Sequence, residues 1–185
     1  MTLRDDKAAL RARVVAARAE VDAASRAQLG PQIDARLLAL PEIAAARRVL
    51  LYASREAEVP MAPVAQALRA RGVAIGVPRI EGDELVPCPI ASWEDLVPGV
   101  FRIPTSAADP WTGPIDVVIT PGAAFDEAGG RLGLGRGFYD RLLSSGRIGF
   151  AVGACWDVQL VPEVPMDALD RRVDAVVTPT RTIRT

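Results

Sequence analysis

The chain has 185 residues, half of them hydrophobic and 24% charged, with 22 basic against 23 acidic residues for a net charge of −1. At that length a chain buries about 70% of the surface its unfolded form exposes, so one domain over residues 1–185 is expected and a disordered protein is excluded. There is no histidine, and the two cysteines, Cys88 and Cys155, have no CxxC spacing. This excludes Ser-His-Asp and Cys-His hydrolysis, histidine metal sites and a zinc cluster. Balanced charge argues against a nucleic-acid partner. No apolar run reaches the ~20 residues of a membrane helix, and Met1 to Asp6 holds no apolar signal core, so a cytoplasmic protein is expected. Of the basic residues only Lys7 is a lysine; the other 21 are arginines.

Thr2 with Asp5 three residues on reads as a capping box that starts a helix. Leu3, Leu10, Val14, Ala17 and Val21 form its apolar stripe. Lys7 lies at the edge of the stripe, with Arg11 and Arg18 close beside it; Lys7 and Arg11, four apart, share a face. A second helix is expected from Pro31 to Leu40. Strands and helices then alternate: a buried strand over 48–53, an amphipathic helix from Pro60 to Arg71 ended by Gly72, and a strand over 73–77 stopped by Pro78. A short strand is expected over 85–89 and a proline-rich loop over 98–114. Further strands are expected over 116–120, 148–154 and 173–177, with a helix over 137–143. All-apolar strands in that order imply an α/β fold: a three-layer α/β/α sandwich with a mostly parallel sheet and an N-terminal helical arm. Cys88 and Cys155 read as small buried hydrophobes and Trp156 as packing, while Trp93 and Trp111 sit in loop-like contexts suited to an aromatic pocket.

Residues 129–137 read Gly-Gly-Arg-Leu-Gly-Leu-Gly-Arg-Gly and hold five of the fifteen glycines. A helix start, Phe138-Tyr139-Asp140-Arg141, follows directly. Glycines let backbone N–H groups approach an anion, the helix N-terminus adds positive potential, and Arg131 and Arg136 add charge. The combination fits phosphate binding. It is neither a Walker A loop nor a dinucleotide fingerprint, because the required Lys-Ser/Thr pair is missing and position 138 is Phe138. Asp140, in the first helical turn, is placed either for the helix dipole or for Mg²⁺ beside bound phosphates.

The run Asp116 to Arg141, with its Pro121-Gly122-x-x-Phe125-Asp126 segment followed by Arg131-Leu132-Gly133-x-Gly135-x-Gly137-x-Tyr139-Asp140, resembles the 5-formyltetrahydrofolate cyclo-ligase family. Lys7 and Arg11, Glu58-Val59, Val77-Pro78-Arg79, Gln159-Leu160-Val161, Asp170 and Val173-Asp174 extend the resemblance almost end to end. The resemblance implies ATP-dependent cyclisation of 5-formyltetrahydrofolate to 5,10-methenyltetrahydrofolate, with ADP and phosphate released and the formyl oxygen phosphorylated on the way. It implies ATP as co-substrate and Mg²⁺ as cofactor. It assigns Lys7, Arg11 and the run Arg131, Leu132, Gly133, Leu134, Gly135, Arg136, Gly137, Phe138, Tyr139 to ATP. Arg11, Ala53, Glu58, Leu134, Gly135, Arg136, Gly137 and Phe138 are assigned to the folate, Asp140 and Asp174 to the metal, and Arg136, Lys7 and Tyr139 to catalysis. Such chemistry needs charge neutralisation and in-line positioning rather than histidine. Three segments depart from the family pattern: Arg102 to Ser106 lacks a glutamate, Pro60-Met61 follows Glu58-Val59, and Leu134 stands where Tyr or Arg is frequent. An ATP-using enzyme with another formyl or carbonyl substrate, or a non-catalytic folate- or nucleotide-binding protein, would keep the same loop. Small-molecule partners only, no membrane and a monomer are expected.

Overall fold

The structure is a computed structural model that describes residues 2–55 and 57–185. Helix α1 spans Leu3–Ala19, and Thr2 and Asp5 form the expected capping box, Thr2 Oγ1 accepting the Asp5 N–H at 3.2 Å and Asp5 Oδ2 the Thr2 N–H at 2.9 Å. Helix α2, Ala23–Leu38, is capped by Asp22, whose Oδ1 accepts the Ser25 N–H at 2.8 Å. It therefore starts eight residues before the expected Pro31 and runs through that proline. Pro31 is exposed, so water can satisfy the Ala27 carbonyl that loses its helical donor there.

Helix α3 is Pro41–Ala45 and strand β1 is Arg48–Leu51. Helix α4, Ala62–Ala70, leads to β2, Ala74–Glu81, and β3, Glu84–Pro89. Pro78 does not stop β2, contrary to the expectation. It faces Pro87 across the β2–β3 ladder, and its carbonyl points away from β3 and accepts the Thr105 hydroxyl at 3.1 Å. Its missing N–H points the same way, where the ladder with β1 has already ended at Gly76. The 98–114 segment is a loop as expected, with Phe101 and Arg102 in left-handed backbone conformations at φ 56° and 58°.

Strands β4, Ile115–Thr120, β7, Ile148–Ala154, and β8, Ala175–Val177, complete the parallel part of the sheet. A hairpin of β5, Ala124–Phe125, and β6, Arg131–Leu132, lies between β4 and helix α5, Phe138–Ser144. The last strand, β9, is Thr182–Arg184. The sheet order is β3-β2-β1-β4-β7-β8-β9; the two edges are antiparallel and every inner pairing is parallel.

Period-2 alternation sorts the strand side chains onto two faces. Val49, Leu51, Val117, Ile119, Val152, Ala175 and Val177 pack with Ile33 and Leu37 of α2, Ile43 of α3 and Val64 and Leu68 of α4. Leu50, Val118, Ala151 and Val176 pack with Phe125 and with Leu142 of α5. The three expected layers follow. Helix α1 joins neither outer layer: Leu10 and Val14 pack on Ala123, Ala124 and Leu132 of the hairpin and on Val161 and Val164. The arm is thereby fastened beside the C-terminal ends of the strands.

Phe125, 0% exposed, lies against two glycines. A Cβ on Gly122 would stand 2.7 Å from its ring, and one on Gly153 of β7 would stand closer still. Gly153→Ala is therefore expected to destabilise the fold by about 1–3 kcal/mol through overpacking. The measurement is the urea midpoint at unchanged slope; an unmoved midpoint would contradict this packing.

Candidate active site

Strand order reverses at β1: the chain passes from β1 to β2 on one side and returns with β4 on the other. In such sheets a crevice opens beyond the carboxyl ends of the two strands that flank the reversal. The loop after β1 carries Ala53 and Glu58. The segment after β4 carries the hairpin and the glycine loop. Helix α1 crosses from the hairpin toward the loop after β1.

The hairpin that launches the glycine loop is held by Asp126, 4% exposed. Its Oδ1 accepts the N–H groups of Ala128 at 2.9 Å and Gly130 at 2.7 Å, and its Oδ2 that of Val164 at 2.8 Å. A Cβ on Gly130 would collide with that carboxylate. Beyond β6 the loop turns out to solvent, with Gly135 and Gly137 at φ 91° and 66°, a backbone that favours glycine. Among the described residues the N–H groups of Leu134, Gly135 and Arg136 meet no acceptor. Exposed amides followed by the N-terminus of α5 suit an anion.

Arg131 is buried, donates through Nη2 to Asp140 Oδ1 at 2.8 Å and lies over the Tyr139 ring at 5.5 Å. Its Nε is buried without a partner among the described residues. Arg136 is exposed and stacks on the Phe101 ring at 4.0 Å. The loop is tied to α1 by Arg11, whose Nε donates to the Gly133 carbonyl at 2.8 Å. One turn earlier, Lys7 Nζ lies 2.6 Å from Asp167 Oδ2 and 2.5 Å from Asp170 Oδ2. Burial works against the Lys7 charge, yet the hydrogen bonds to Asp167 and Asp170 prevail and hold its pKa above the ordinary lysine value. Arg11 is thus brought against the glycine loop, while Lys7, one turn earlier on the same helix, meets Asp167 and Asp170.

The other end is built around Glu58. Its Oε2 accepts the Arg55 N–H at 2.8 Å and its Oε1 lies 3.8 Å from Nη1 of Arg18, on α1. Burial pushes the Glu58 carboxyl above its usual range, opposed by the Arg55 N–H and by the charges of Arg18 and Arg55. Trp156 Nε1 donates to the Ala57 carbonyl at 3.0 Å and Tyr52 Oη to the Val59 carbonyl at 2.9 Å, so both neighbours of Glu58 are fixed from the core. Burial raises the Tyr139 phenol above its ordinary value, and the Glu58 charge raises it further. The Tyr139 ring packs against the cores on both faces of the sheet. Ala53 is buried in the same loop. Beside Glu58 an open cleft of about 340 Å³ is lined by Ala23, Arg26 and Ala27 of α2 and by Pro60.

Asp140 and Asp174 are not brought together by any shared partner. Asp140 Oδ1 takes Arg131 and the Arg171 N–H at 3.1 Å; Asp174 is exposed at the start of β8 and its Oδ2 accepts the Ala151 N–H at 2.7 Å. Among the described residues no three Asp, Glu or Cys form a metal cage. A cation that keeps most of its waters and takes substrate phosphates needs only one or two carboxylates, so Asp140 at the loop fits Mg²⁺, whereas Asp174 has a backbone-bonding role here. Trp111 does not face the crevice: it packs on β2, 2.7 Å from where a Gly76 Cβ would stand, under Arg48. Trp93 packs at the edge of the α2–α4 core.

Sequence reasoning left Arg18, Tyr52 and the indole N–H of Trp156 out of the site. For Arg18 a signal existed: it follows Lys7 by eleven residues, three helical turns, and so repeats the same face.

A carboxyl with a folded pKa above its unfolded one is held protonated more tightly by the folded state. Its contribution to stability is then lost as pH rises from the ordinary glutamate range through the folded value. Glu58→Gln is expected to stabilise the protein more at pH 8 than at pH 4.5, read from urea unfolding at both; an equal or opposite difference would contradict the burial argument.

Comparison with known proteins agrees with this geometry. A family model described as the 5-formyltetrahydrofolate cyclo-ligase family matches residues 4–179. The 5-formyltetrahydrofolate cyclo-ligase of Escherichia coli (strain K12) is 31% identical over 164 residues, covering 83% of this chain and 90% of its own length. The NMR structure of Aquifex aeolicus 5,10-methenyltetrahydrofolate synthetase is similar at a TM-score of 0.85 and 32% identity, over 96% of this chain and 92% of that one. A 5,10-methenyltetrahydrofolate synthetase from Mycoplasma pneumoniae, 22% identical, shares the fold at a TM-score of 0.75 over 93% and 98% of the two chains. A phosphate-type loop closed by a basic helix at the sheet's point of reversal, on a chain matched along nearly its whole length, makes this protein a member of the 5-formyltetrahydrofolate cyclo-ligase family.

Proposed function

We propose that the protein converts 5-formyltetrahydrofolate and MgATP to 5,10-methenyltetrahydrofolate, ADP and phosphate. The observation that carries the reading is that one helix, α1, meets the glycine loop with its unpaired amides through Arg11 and lies beside Glu58 through Arg18. The formyl oxygen attacks the γ-phosphorus and ADP leaves. N10 then adds to the formyl carbon and gives its proton to solvent, and phosphate departs with the former formyl oxygen. Every step moves negative charge along one line, so cations and amides fixed in advance are what the reaction asks of the protein.

The chain's residues divide the work. The amides of Leu134 to Gly137 and the N-terminus of α5 cradle the phosphates. Arg11 keeps the loop against α1, and Lys7 places a charge beside the terminal phosphate. Arg136 exchanges the Phe101 ring for the transferring phosphoryl group. Tyr139 offers a hydroxyl between phosphate and folate. Glu58 accepts N–H donors of the pteridine, with Ala53 and Phe138 along the wall. Asp140 would hold Mg²⁺, which would supply charge neutralisation beside the phosphates, while the Asp174 carboxylate accepts the Ala151 N–H. No helix among the described residues is long and apolar enough to cross a membrane.

The test follows the near-ultraviolet absorbance of the methenyl product. Its rise is expected to require both ATP and Mg²⁺. Arg136→Ala is expected to lower kcat by about 10²–10³, the usual loss for one donor to transition-state charge. Absence of product with the wild-type protein, or full activity in Arg136→Ala, would overturn the reaction or the residue's role respectively. Asp140→Asn is expected to raise the Mg²⁺ concentration needed for half-maximal rate; an unchanged requirement would remove Asp140 from the metal site.

A further inference from the structure

Arg18 is the anomaly of the crevice. Its side chain is 12% exposed, yet among the described residues it makes no hydrogen bond. Its Nε is buried without a partner, and its nearest carboxylate oxygen, Glu58 Oε1, lies at 3.8 Å, beyond hydrogen-bond reach. Leaving a guanidinium this enclosed and this poorly paired is costly, unless another molecule completes it. The surroundings do not explain it as an ordinary surface pair. Glu58 is itself held by the Arg55 N–H, and the loop that carries it is fixed through Trp156 and Tyr52. Glu58 is thus positioned by its own loop, and the Arg18 guanidinium lies 3.8 Å from it without a hydrogen bond.

The chemistry of the gap is specific. A carboxylate offers acceptors and the guanidinium beside it offers donors. The pteridine edge of a reduced folate presents, side by side, a 2-amino group and N3–H, both donors, and the 4-oxo oxygen, an acceptor. We infer that Arg18 reads the 4-oxo group of the pteridine while Glu58 takes the two neighbouring donors, making Arg18 a specificity-determining residue for the folate. This inference rests on the proposed function and deepens it. Arg18 stands about 16 Å along α1 from Lys7, eleven residues at 1.5 Å each, so one helix serves the phosphate at one end and the pteridine at the other.

The test measures binding by calorimetry without ATP, using 5-formyltetrahydrofolate and its counterpart carrying a 4-amino group in place of the 4-oxo. The wild type is expected to prefer the oxo compound. Arg18→Met, which keeps the apolar stem, is expected to weaken binding of the oxo compound roughly 10- to 100-fold, as for a lost hydrogen bond to a charged donor. The same variant should not weaken binding of the amino compound, whose 4-amino group offers the Arg18 donors no acceptor. Arg18→Lys should recover part of the loss, and the KM for ATP should stay put in both variants. Equal weakening of both compounds would overturn the inference, because a merely structural Arg18 acts on any ligand alike. A wild type without preference for the oxo compound would overturn it even if Arg18→Met fails to fold. A wild type that binds ATP but not 5-formyltetrahydrofolate would overturn the proposed function itself, and with it this inference.

Discussion

The carboxylate of Asp126 receives three backbone N–H groups, from Ala128, Gly130 and Val164, in a setting 4% exposed to solvent. Those three bonds close the β5–β6 hairpin and pin the 161–164 segment against it. Helix α1 beds on that same hairpin and segment through Leu10 and Val14. The glycine loop leaves directly from β6. One buried carboxylate thus fixes both walls of the phosphate end of the crevice, and a side chain that reads as part of a binding motif serves as the frame of the site. Gly130 belongs to the same constraint, since a side chain there would displace the carboxylate.

The parallel core was legible because its cause is local. Val49-Leu50-Leu51 and Val117-Val118-Ile119 alternate between two buried faces and leave no polar position, which few other arrangements tolerate. Punctuation was less reliable. Pro31 sits inside α2 because its lost bond faces water, and Pro78 sits inside β2 because its lost donor faces a place where no strand continues. A proline reports that a hydrogen bond is missing, and only the fold decides whether anything there required one. The hairpin β5–β6 and strand β9 escaped notice because two- and three-residue strands carry no period to detect.

In the candidate site, the glycine loop and the shared helical face of Lys7 and Arg11 were legible as local structure because helical spacing and glycine density are sequence properties. Trp111 was not, since only the close approach permitted by Gly76 decides that it packs on β2. The pairing of Arg18 with Glu58 was not, since forty residues separate them. The electrostatics divide the same way. Groups with local partners, such as Asp5 and Asp22, are held below the usual carboxylate range chiefly by backbone hydrogen bonds next to them in the chain. Glu58 is moved upward by burial, which no neighbour in sequence announces. Functional strain thus gathers where distant segments meet: an orphaned Nε on Arg131, another on Arg18, and left-handed backbone at Phe101 and Arg102.

The resting partners of the phosphate-end cations carry a consequence of their own. Lys7 is engaged by Asp167 and Asp170, Arg131 by Asp140, and Arg136 by the face of Phe101. With Arg11, four cations stand against three carboxylates. A polyanion arriving there finds little long-range field to draw it in and gains affinity by taking over contacts already made. Simple salts screen net fields far more than short, enclosed contacts. At the proposed site, nucleotide capture would accordingly be an exchange of partners, governed by geometry at contact and tolerant of the ionic strength around it.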